Sequence, residues 1–407
     1  MVDSTKGVRT ERTRLGIAFW ALAGASTIFF TAQGMLLPVL PQYVDDELGG
    51  GTIAVGIAVS SFALGAMVAR PWGGAVADRA GRRIVGMLGA LLWASMVALY
   101  SVAGALAGVV GLVVVRIIGG VGGGALFVAM TAIATDLAPP NQRVRAFGLF
   151  SMSTLFGFAV GPAIGETVLD GGRYELTFVI CAVLALAPLI ALALLPETKP
   201  VIDVVEPAGD QKATRAPLLH PAARRPGLAM LLGSLGFVTY AAFVPLYSKE
   251  VGLSNVAIPL TVTAATNLLT RFAAAPVADR IDRRTLTGVS LVVIASAAST
   301  LALWASPTGI VVAAVLNGAG NAYLFPGFLA MTVDAAPEAD RARAIGSLTV
   351  FSDLANSVGG AVLGLAAAVA GYRGAFALAA VLALCSLVVL RVSIRPAPVE
   401  AETLRPA

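Results

Sequence analysis

The chain is divided into apolar runs that are each about as long as a membrane-spanning helix. A helix that crosses the hydrocarbon core of a bilayer needs about 20 mostly apolar residues. Twelve segments of the 407-residue sequence meet this requirement. They are residues 15–37, 53–77, 84–104, 108–134, 147–168 and 176–195, followed by 228–247, 256–278, 286–305, 309–333, 345–370 and 375–392. The sequence therefore predicts an all-α integral membrane protein.

The composition supports the same class of protein. Hydrophobic residues make up 57% of the chain and charged residues 13%, and the mean hydropathy is +0.86. A soluble protein of this size could not bury that much apolar surface. The net charge of +5 does not indicate a nucleic-acid partner, because the basic residues are confined to alternate loops. The two cysteines lie in apolar segments without metal-binding or redox spacing, so we expect no metal and no cofactor.

Two charged loops show that the chain is an internal duplication. Residues 70–83 read RPWGGAVADRAGRR, and residues 271–284, which lie 201 positions later, read RFAAAPVADRIDRR. A second shared pattern, Asp-x-Ala-Pro-x-x-x-Arg-x-Arg-Ala-x-Gly, begins at Asp136 and again at Asp334. Repeats of this length are typical of transporters built from duplicated bundles. The sequence therefore predicts two related six-helix bundles, residues 1–195 and 226–407, joined by a linker at residues 196–225.

The distribution of Lys and Arg predicts which ends of the helices face the cytoplasm. Basic residues cluster at both termini, in alternate loops and in the linker, while only Arg173, Lys249 and Arg373 fall on the opposite side. Cytoplasmic loops of membrane proteins carry an excess of Lys and Arg. We therefore expect both termini and the linker, with the single histidine His220, to be cytoplasmic in a bacterial-type inner (plasma) membrane. The acidic residues 45–47 then lie on the outer side.

The loop after the second segment carries a recognisable motif. Residues 74–83 have the pattern Gly-x-x-x-Asp-Arg-x-Gly-Arg-Arg, which resembles the loop signature of the major facilitator superfamily. The resemblance implies the two-bundle fold of that family and a gating role for the loop, which is thought to lock the bundles together in the outward-facing state. The expected gating residues are Gly74, Asp78, Arg79, Arg83, Asp279 and Arg280, with Asp136 and Asp334 as partners of nearby arginines. The alternative is that the arginines only anchor the topology.

The fourth segment contains a charged residue. Arg116 precedes a glycine-rich stretch, Gly119-Gly120-Val-Gly122-Gly123, and this arrangement resembles the fourth-helix signature of the same family, which implies a part in proton coupling. A charged side chain at the centre of a spanning helix costs about 2.5 to 3.5 kcal/mol on insertion scales, so it usually faces a cavity. The alternative is that Arg116 extends to the outer interface. The duplicated position in the second half is Asn317.

The fifth segment contains small residues at four-residue spacing. The pattern Gly157-x-x-x-Gly161-Pro162-x-x-Gly165-Glu166 resembles the fifth-helix signature associated with exporters that exchange substrate for protons. Small residues and a proline allow a helix to bend and to pack closely. We expect Gly161 and Pro162 to take part in gating against a helix of the other bundle. Glu166, where the family usually has a glycine, is a second candidate for proton coupling.

Polar residues inside the apolar segments indicate where a substrate would bind, since such sites lie near the midplane between the bundles. The expected substrate-binding residues are Gln33, Phe30, Tyr240, Asn267, Asn317, Asn321 and Asn356. Threonines in the same segments can bond to their own helix and line nothing. Asp353 is the one carboxylate deep in the second half and is the expected proton carrier, although it could instead hold amides of neighbouring helices.

These features predict an exporter of a small apolar or amphipathic compound, a drug or a metabolite, in exchange for protons by alternating access. We expect a monomer whose partners are the substrate, protons and the lipid bilayer, with no nucleic acid. Two alternatives stay open: a facilitator or proton-coupled uptake carrier for a small metabolite such as a sugar, and a non-transporting membrane sensor or scaffold. The first and fourth segments contain no acidic residue, which weakens the drug–proton assignment. An enzyme is not expected, because the single histidine lies in the linker.

Overall fold

The structure is a computed structural model that describes residues 15–139, 142–198, 219–278 and 280–393, without the side chains of residues 70–75, 78, 144, 339 and 342. All regular structure within these ranges is helical, which confirms the predicted all-α class. The helices are α1 (Ile17–Gln42), α2 (Gly51–Ala80), α3 (Arg82–Ala98), α4 (Tyr100–Asp136), α5 (Arg143–Leu169), α6 (Tyr174–Leu184), α7 (Leu186–Leu194), α8 (Pro221–Glu250), α9 (Ala257–Ala278), α10 (Arg283–Leu303), α11 (Pro307–Asp334) and α12 (Arg341–Ser393). A π-helical turn, Tyr43–Glu47, extends α1, and a 3-10 turn, Glu338–Asp340, precedes α12.

The helices correspond to the twelve predicted segments once their breaks are taken into account. Nine continuous helices among the described residues are long and apolar enough to cross a bilayer. Two of them change direction at a glycine with positive φ, Gly108 at +57° in α4 and Gly371 at +69° in α12, a conformation that glycine adopts without steric penalty. The third predicted segment therefore runs through α3 into the first turns of α4, and the eleventh and twelfth are the two parts of α12.

The helices form two bundles, α1–α7 and α8–α12, that pack against each other through matching pairs. The inter-bundle contacts are chiefly α2 with α12 and α5 with α9. The duplication makes α9 the counterpart of α2, and the first part of α12 the counterpart of α5. The two contacts are therefore equivalent under the pseudo-symmetry of the repeat.

Large apolar side chains cover the outside of the bundles. Leu106, Leu194 and Val369 are each more than 80% exposed, at 83%, 82% and 82%. Aromatic contacts fill the interior of the first bundle, where Phe29 packs edge to face on Trp93 with ring centroids 4.9 Å apart. An apolar exterior of this kind is what a lipid environment requires.

The two ends of the bundles carry opposite charge. We call the end with the α2–α3, α4–α5, α9–α10 and α11–α12 loops the basic end, because its described residues include Arg79, Arg82, Arg83, Arg143, Arg145, Arg280, Arg283, Arg284, Arg341 and Arg343. The opposite end, with Asp45, Asp46, Glu47 and Asp170, is called the acidic end. Residues 199–218 of the predicted linker lie outside the described residues. Its last part, Pro221 to Arg225, belongs to α8, and the imidazole Nδ1 of His220 caps this helix by accepting from the Ala222 N–H at 3.2 Å.

Candidate functional site

A cavity of about 590 Å³ lies between the two bundles, halfway along their helices. Its wall is largely aromatic and aliphatic, because the helices that meet there turn their apolar faces inward. The aromatic residues are Phe29, Phe30, Phe62, Phe127, Phe158, Phe237 and Tyr240. Concave, mostly apolar sites with a few polar groups are the usual form of small-molecule sites.

Few polar side chains interrupt the apolar wall. The first bundle contributes Gln33, Arg116 and Thr154, and the second contributes Thr263, Asn267, Asn321, Asp353 and Asn356. Of the residues predicted to bind substrate, Gln33, Phe30, Tyr240, Asn267, Asn321 and Asn356 line this one cavity, together with the predicted proton-coupling residues Asp353 and Arg116. The structure therefore brings polar residues from distant parts of the chain to a single site.

Arg116 is held in the cavity wall by helix α2. The side chain is only 6% exposed, and its Nε donates to the carbonyl oxygen of Ala58 at 2.7 Å and to the Ser61 hydroxyl at 3.3 Å. One terminal nitrogen donates to the Val59 carbonyl at 3.3 Å, and the other donates to the Tyr100 hydroxyl at 3.3 Å, with the guanidinium 5.6 Å from that ring. The residue lies inside the bundle and does not extend to the outer interface.

Asp353 lies on the opposite wall, in the first part of α12, and is 9% exposed. Its neighbours on the same helix face bond to their own backbone: the Ser357 hydroxyl donates to the Asp353 carbonyl at 2.6 Å, and the Asn356 amide donates to the Ser352 carbonyl at 2.9 Å. Such bonds satisfy the polar groups of these side chains within their own helix. The Asp353 carboxylate is the one acidic group among the described residues that line the cavity.

A hydrogen-bonded chain closes the wall of the second bundle. The Thr263 hydroxyl lies 2.8 Å from the Tyr240 hydroxyl and donates to the Ala314 carbonyl at 3.0 Å, and Tyr240 donates to the Pro259 carbonyl at 2.8 Å. This chain ties α8, α9 and α11 together. It fixes the orientation of the Tyr240 ring in the wall.

The prediction that Asn317 faces the cavity is wrong in this structure. Asn317 is 2% exposed and lies behind the wall, where its side-chain oxygen accepts from the Asn321 amide at 3.1 Å. The reason is the close approach of α9: a Cβ on Gly318 would lie 2.3 Å from the Thr263 carbonyl. The backbones meet at this level, so only Asn321, one turn along α11, reaches the cavity.

Glu166, the second predicted proton-coupling residue, lies away from the cavity at the acidic end. Its carboxylate accepts from the Gln42 amide at 3.0 Å, and both residues line a separate polar recess with Asp46, Tyr174 and Lys249. Asp46 accepts from the Tyr174 hydroxyl at 2.8 Å and forms an ion pair with Lys249 at 2.9 Å. Since Lys249 belongs to the second bundle, this ion pair joins the two bundles. Sequence reasoning missed it, although Lys249 stands out as one of few basic residues on that side.

Glycines form the closest contact between the bundles. Gly56 in α2 and Gly360 in α12 cross so closely that a Cβ on either would overlap the carbonyl oxygen of the other. Hydrogen bonds flank the crossing: the Ser60 hydroxyl accepts from the Gly360 N–H at 2.9 Å, and Thr52 donates to the Gly364 carbonyl at 3.3 Å. Thr52 and Gly56 lie in the first two turns of α2, so the crossing lies on the side of the acidic end.

The glycines of α5 do not meet the other bundle, contrary to our prediction for Gly161 and Pro162. A Cβ on Gly157, Gly161 or Gly165 would lie 2.5 Å from the carbonyl oxygen of Thr27, Thr31 or Met35 respectively. All three carbonyls belong to α1 of the same bundle. Small residues one turn apart form a groove along α5, and α1 fills it.

The close packing of α1 in this groove leads to a prediction about the stability of the first bundle. Gly161→Ala should destabilise the first bundle by about 1 to 3 kcal/mol, because the added methyl group forces α1 and α5 apart. Gly148→Ala is the matched control on the same helix, since a Cβ there has no atom within 4 Å. The measurement is the thermal unfolding midpoint of the purified protein in detergent. Equal midpoints for the two variants would contradict the close packing.

The charged loops at the basic end are bound to their own bundles. Arg82 forms an ion pair with Asp136, and Arg283, its counterpart in the repeat, forms one with Asp334. Arg83 donates to the Ala193 carbonyl at 2.7 Å, also within the first bundle. The predicted pairing of both aspartates with nearby arginines therefore occurs in this structure.

Other predicted gating residues are described only in part. Arg79 and Arg280 are exposed at the basic end. Asp279 lies outside the described residues. Gly74 and Asp78 are described as part of helix α2, without their side-chain surroundings.

Sequence reasoning also missed the surroundings of Arg271, the first residue of the second repeat copy. Its Nε donates to the Asn267 side-chain oxygen at 3.2 Å, and the Tyr323 hydroxyl donates to its carbonyl at 3.2 Å. Arg271 thus orients one of the amides that line the cavity. The sequence signal for this contact was the presence of Arg271 within the apolar segment 256–278, since a charged residue there needs polar partners.

Comparisons of the sequence show a family relationship over nearly the whole chain. The family model described as Major Facilitator Superfamily matches residues 22–267 and 255–407. An uncharacterized transporter of this type from Burkholderia pseudomallei is 30% identical over 400 residues, which cover 94% of this chain and 93% of that protein. One from Salmonella typhimurium is 26% identical over 388 residues, which cover 93% of this chain and 97% of that protein.

Solved structures share the fold. A D-xylose–proton symporter superposes with a TM-score of 0.77 at 18% identity, covering 93% of this chain and 97% of that one. A nucleoside transporter gives a TM-score of 0.74 at 17% identity, covering 92% and 99%. The family match, the apolar helices and the shared fold lead to one conclusion: the chain belongs to the Major Facilitator Superfamily and is a multi-pass membrane transporter, not an enzyme.

Proposed function

We propose that this transporter exports a small, largely apolar or amphipathic compound in exchange for protons, by alternating access of the central cavity. The observation that carries the proposal is the 590 Å³ cavity, which lies between duplicated bundles and has a mainly aromatic and aliphatic wall. In this arrangement the basic end faces the cytoplasm and the acidic end faces outward, as the positive-inside rule requires.

The chemistry of the wall favours an apolar or amphipathic substrate over a sugar. A sugar presents hydroxyl groups all around its ring, and each buried hydroxyl needs a hydrogen-bond partner. The described wall offers few polar side chains, and several of these bond to their own bundle. The xylose and nucleoside carriers with a similar fold are less than 20% identical, at 18% and 17%, so their substrates do not transfer to this chain.

Alternating access requires contacts that can separate. The Asp46–Lys249 ion pair and the Gly56–Gly360 crossing join the bundles on the acidic side. The Arg82–Asp136 and Arg283–Asp334 pairs keep each basic loop with its own bundle. These contacts support a rocking motion in which each bundle moves as a body and the acidic side opens.

Proton coupling is assigned to Asp353. It is a carboxylate in the wall of the substrate cavity, so its ionisation and the substrate act on each other at short range. Glu166 lies in the recess at the acidic end and is not part of this cavity. We therefore assign Glu166 to the closure of the acidic side.

The proposal is tested by cellular accumulation of a panel of amphipathic dyes and drugs. Energised cells that express the protein should accumulate less of at least one compound than cells with the empty vector, and a protonophore should abolish the difference. Export that persists without a proton gradient would contradict antiport. Raised accumulation of a sugar would instead favour the uptake carrier, and binding without flux in proteoliposomes would favour the sensor.

The ion pair at the acidic end gives a further prediction. Lys249→Asp should raise the accessibility of the acidic side, and the reversed pair Lys249→Asp with Asp46→Lys should restore the parental value. The side chains are 40% and 42% exposed, so the effect should be about 0.2 to 1 kcal/mol and should decline at high salt. Alkylation of a cysteine placed at Leu40 reports the change. An identical rate in the single and the reversed variants would contradict a contact between the bundles.

A further inference from the structure

Among the described residues, the buried charge of Arg116 has no compensating carboxylate. The guanidinium lines the cavity at 6% exposure, and its partners are the carbonyls of Ala58 and Val59 and the hydroxyls of Ser61 and Tyr100. It forms no ion pair with any carboxylate in the described part of the chain. Carbonyl and hydroxyl dipoles satisfy hydrogen-bond donors, but they do not neutralise a full charge.

Arg116 and Asp353, the charged groups among the described residues of the cavity wall, differ in how they can respond to burial. Asp353 can neutralise itself by binding a proton, whereas a guanidinium stays charged in proteins. A buried ion without a partner is strongly unfavourable, and one that cannot lose its charge needs a counter-ion. The charge of Arg116 is therefore a permanent feature of the site, present in every protonation state of Asp353.

Arg116 also has hydrogen-bonding capacity left for a ligand. A guanidinium carries five N–H donors in a planar fork. Among the described residues, Arg116 donates through Nε and through one hydrogen of each terminal nitrogen. The second hydrogen of each terminal nitrogen has no acceptor among these residues, and a carboxylate can accept two such donors at once.

Among the described residues that line the cavity, the positive charge belongs to the first bundle. The repeat places Asn317 at the position that matches Arg116, and Asn317 is neutral and lies behind the cavity wall. Phe62 on α2 and Phe127 on α4 line the same cavity as Arg116. The first-bundle side of the described wall thus offers one cationic group together with apolar surface, and Asp353 lies on the second bundle. A cation next to apolar surface complements an amphipathic anion.

We infer that the transported compound is an apolar acid, with an aliphatic or aromatic body against the phenylalanines and one carboxylate-class group at Arg116. This inference rests on the proposed function in one respect, namely that the central cavity is the transport site. It does not depend on whether protons move with the substrate or against it. An inside-negative membrane potential would drive such an anion outward, which agrees with export.

The test compares three probes that share one apolar body. They are para-tert-butylbenzoate, para-tert-butylbenzamide and para-tert-butylbenzylamine, which at neutral pH are anionic, neutral and cationic. Dissociation constants are measured by microscale thermophoresis on the full-length protein in detergent. We expect the benzoate to bind about tenfold more tightly than either other probe, as a charge-assisted hydrogen-bonded pair would give.

Variants show whether Arg116 causes the preference. Arg116→Gln should weaken benzoate binding about tenfold and leave benzamide binding within about threefold, while Arg116→Lys should retain part of the preference. Arg173→Gln removes the same charge at an exposed position and should bind all three probes like the parent. If Arg116→Gln fails to fold, the three probes measured on the parent and on Arg116→Lys still show whether the site prefers the anion.

Two results would overturn the inference. One is a benzoate that binds no better than the benzamide, or not at all, in the parent protein. The other is an Arg116→Gln protein that folds and keeps the full preference for the anion. Because binding in detergent needs no gradient, these results are distinct from a failure of proton-driven export, which would overturn the proposed function and leave the charge preference intact.

Discussion

Asp353→Asn should abolish proton-driven export while substrate binding and downhill exchange persist. The asparagine keeps the size and hydrogen-bonding capacity of the side chain but cannot bind and release a proton. In energised cells the variant should accumulate a transported compound to the level of cells treated with a protonophore. In proteoliposomes its exchange rate should lose the pH dependence of the parent, and uphill transport should fall by about a hundredfold, to the background of empty vesicles.

Two control variants separate the proton role of Asp353 from a structural one. Asp353→Glu restores a titratable group and should recover part of the pH dependence. Asp45→Asn removes a carboxylate at the exposed acidic end and should leave export unchanged. An Asp353→Asn protein with the pH profile of the parent would exclude Asp353 as the proton carrier. The remaining alternative would be a structural role, in which the Asp353 carboxylate accepts hydrogen bonds from amides of neighbouring helices.

Gly360→Ala should shift the transporter towards the form that is open on the acidic side. The added methyl group would overlap the carbonyl oxygen of Gly56, and neither backbone can yield without separating α2 from α12. Packing strain of this kind costs about 1 to 3 kcal/mol, which corresponds to a shift of about fivefold to more than a hundredfold in a two-state equilibrium. Gly56→Ala, on the other side of the crossing, should have the same effect.

The opening can be measured with a single reporter. In a background without Cys181 and Cys385, a cysteine at Leu40, which lines the cavity, is alkylated by a membrane-impermeant maleimide. The rate should rise by about fivefold or more with Gly360→Ala. Gly346→Ala, on the same helix with no atom within 4 Å of an added Cβ, should match the parent. A slower or unchanged rate in both crossing variants would contradict closure of the acidic side by this contact.

The fold could be predicted because its determinants are local. The length and hydropathy of each apolar segment fix a helix that crosses the bilayer. The repeat also predicts that Asp136 and Asp334 pair with nearby arginines, and the structure shows these to be Arg82 and Arg283. The breaks at Gly108 and Gly371 were not anticipated, because a glycine inside a long apolar run has the same composition whether or not the helix turns there.

The candidate site could be predicted only in part. Polar residues in apolar segments avoid lipid, which predicts that Gln33, Asn267 and Asn356 face a cavity, and all three line one cavity. The same reasoning failed for Asn317, since avoiding lipid can equally be achieved by burial between helices of one bundle. The predictions for Glu166 and Gly161 rest on the resemblance to a family pattern. Gly161 packs against α1 instead of the other bundle, whereas the proton-coupling role of Glu166, whose carboxylate bonds to Gln42, stays a prediction.

The sequence by itself determined that the chain is a duplicated bundle of membrane-spanning helices, with an arginine in the first half and an asparagine in the second at matching positions, Arg116 and Asn317. Hydropathy, charge and repetition act through short stretches of chain, so they can be read without coordinates. The tertiary structure alone decided that Arg116 shares a cavity with Asp353 and that Gly56 meets Gly360. Those contacts join residues that are distant in the chain, and they depend on how the faces of separate helices pack against one another.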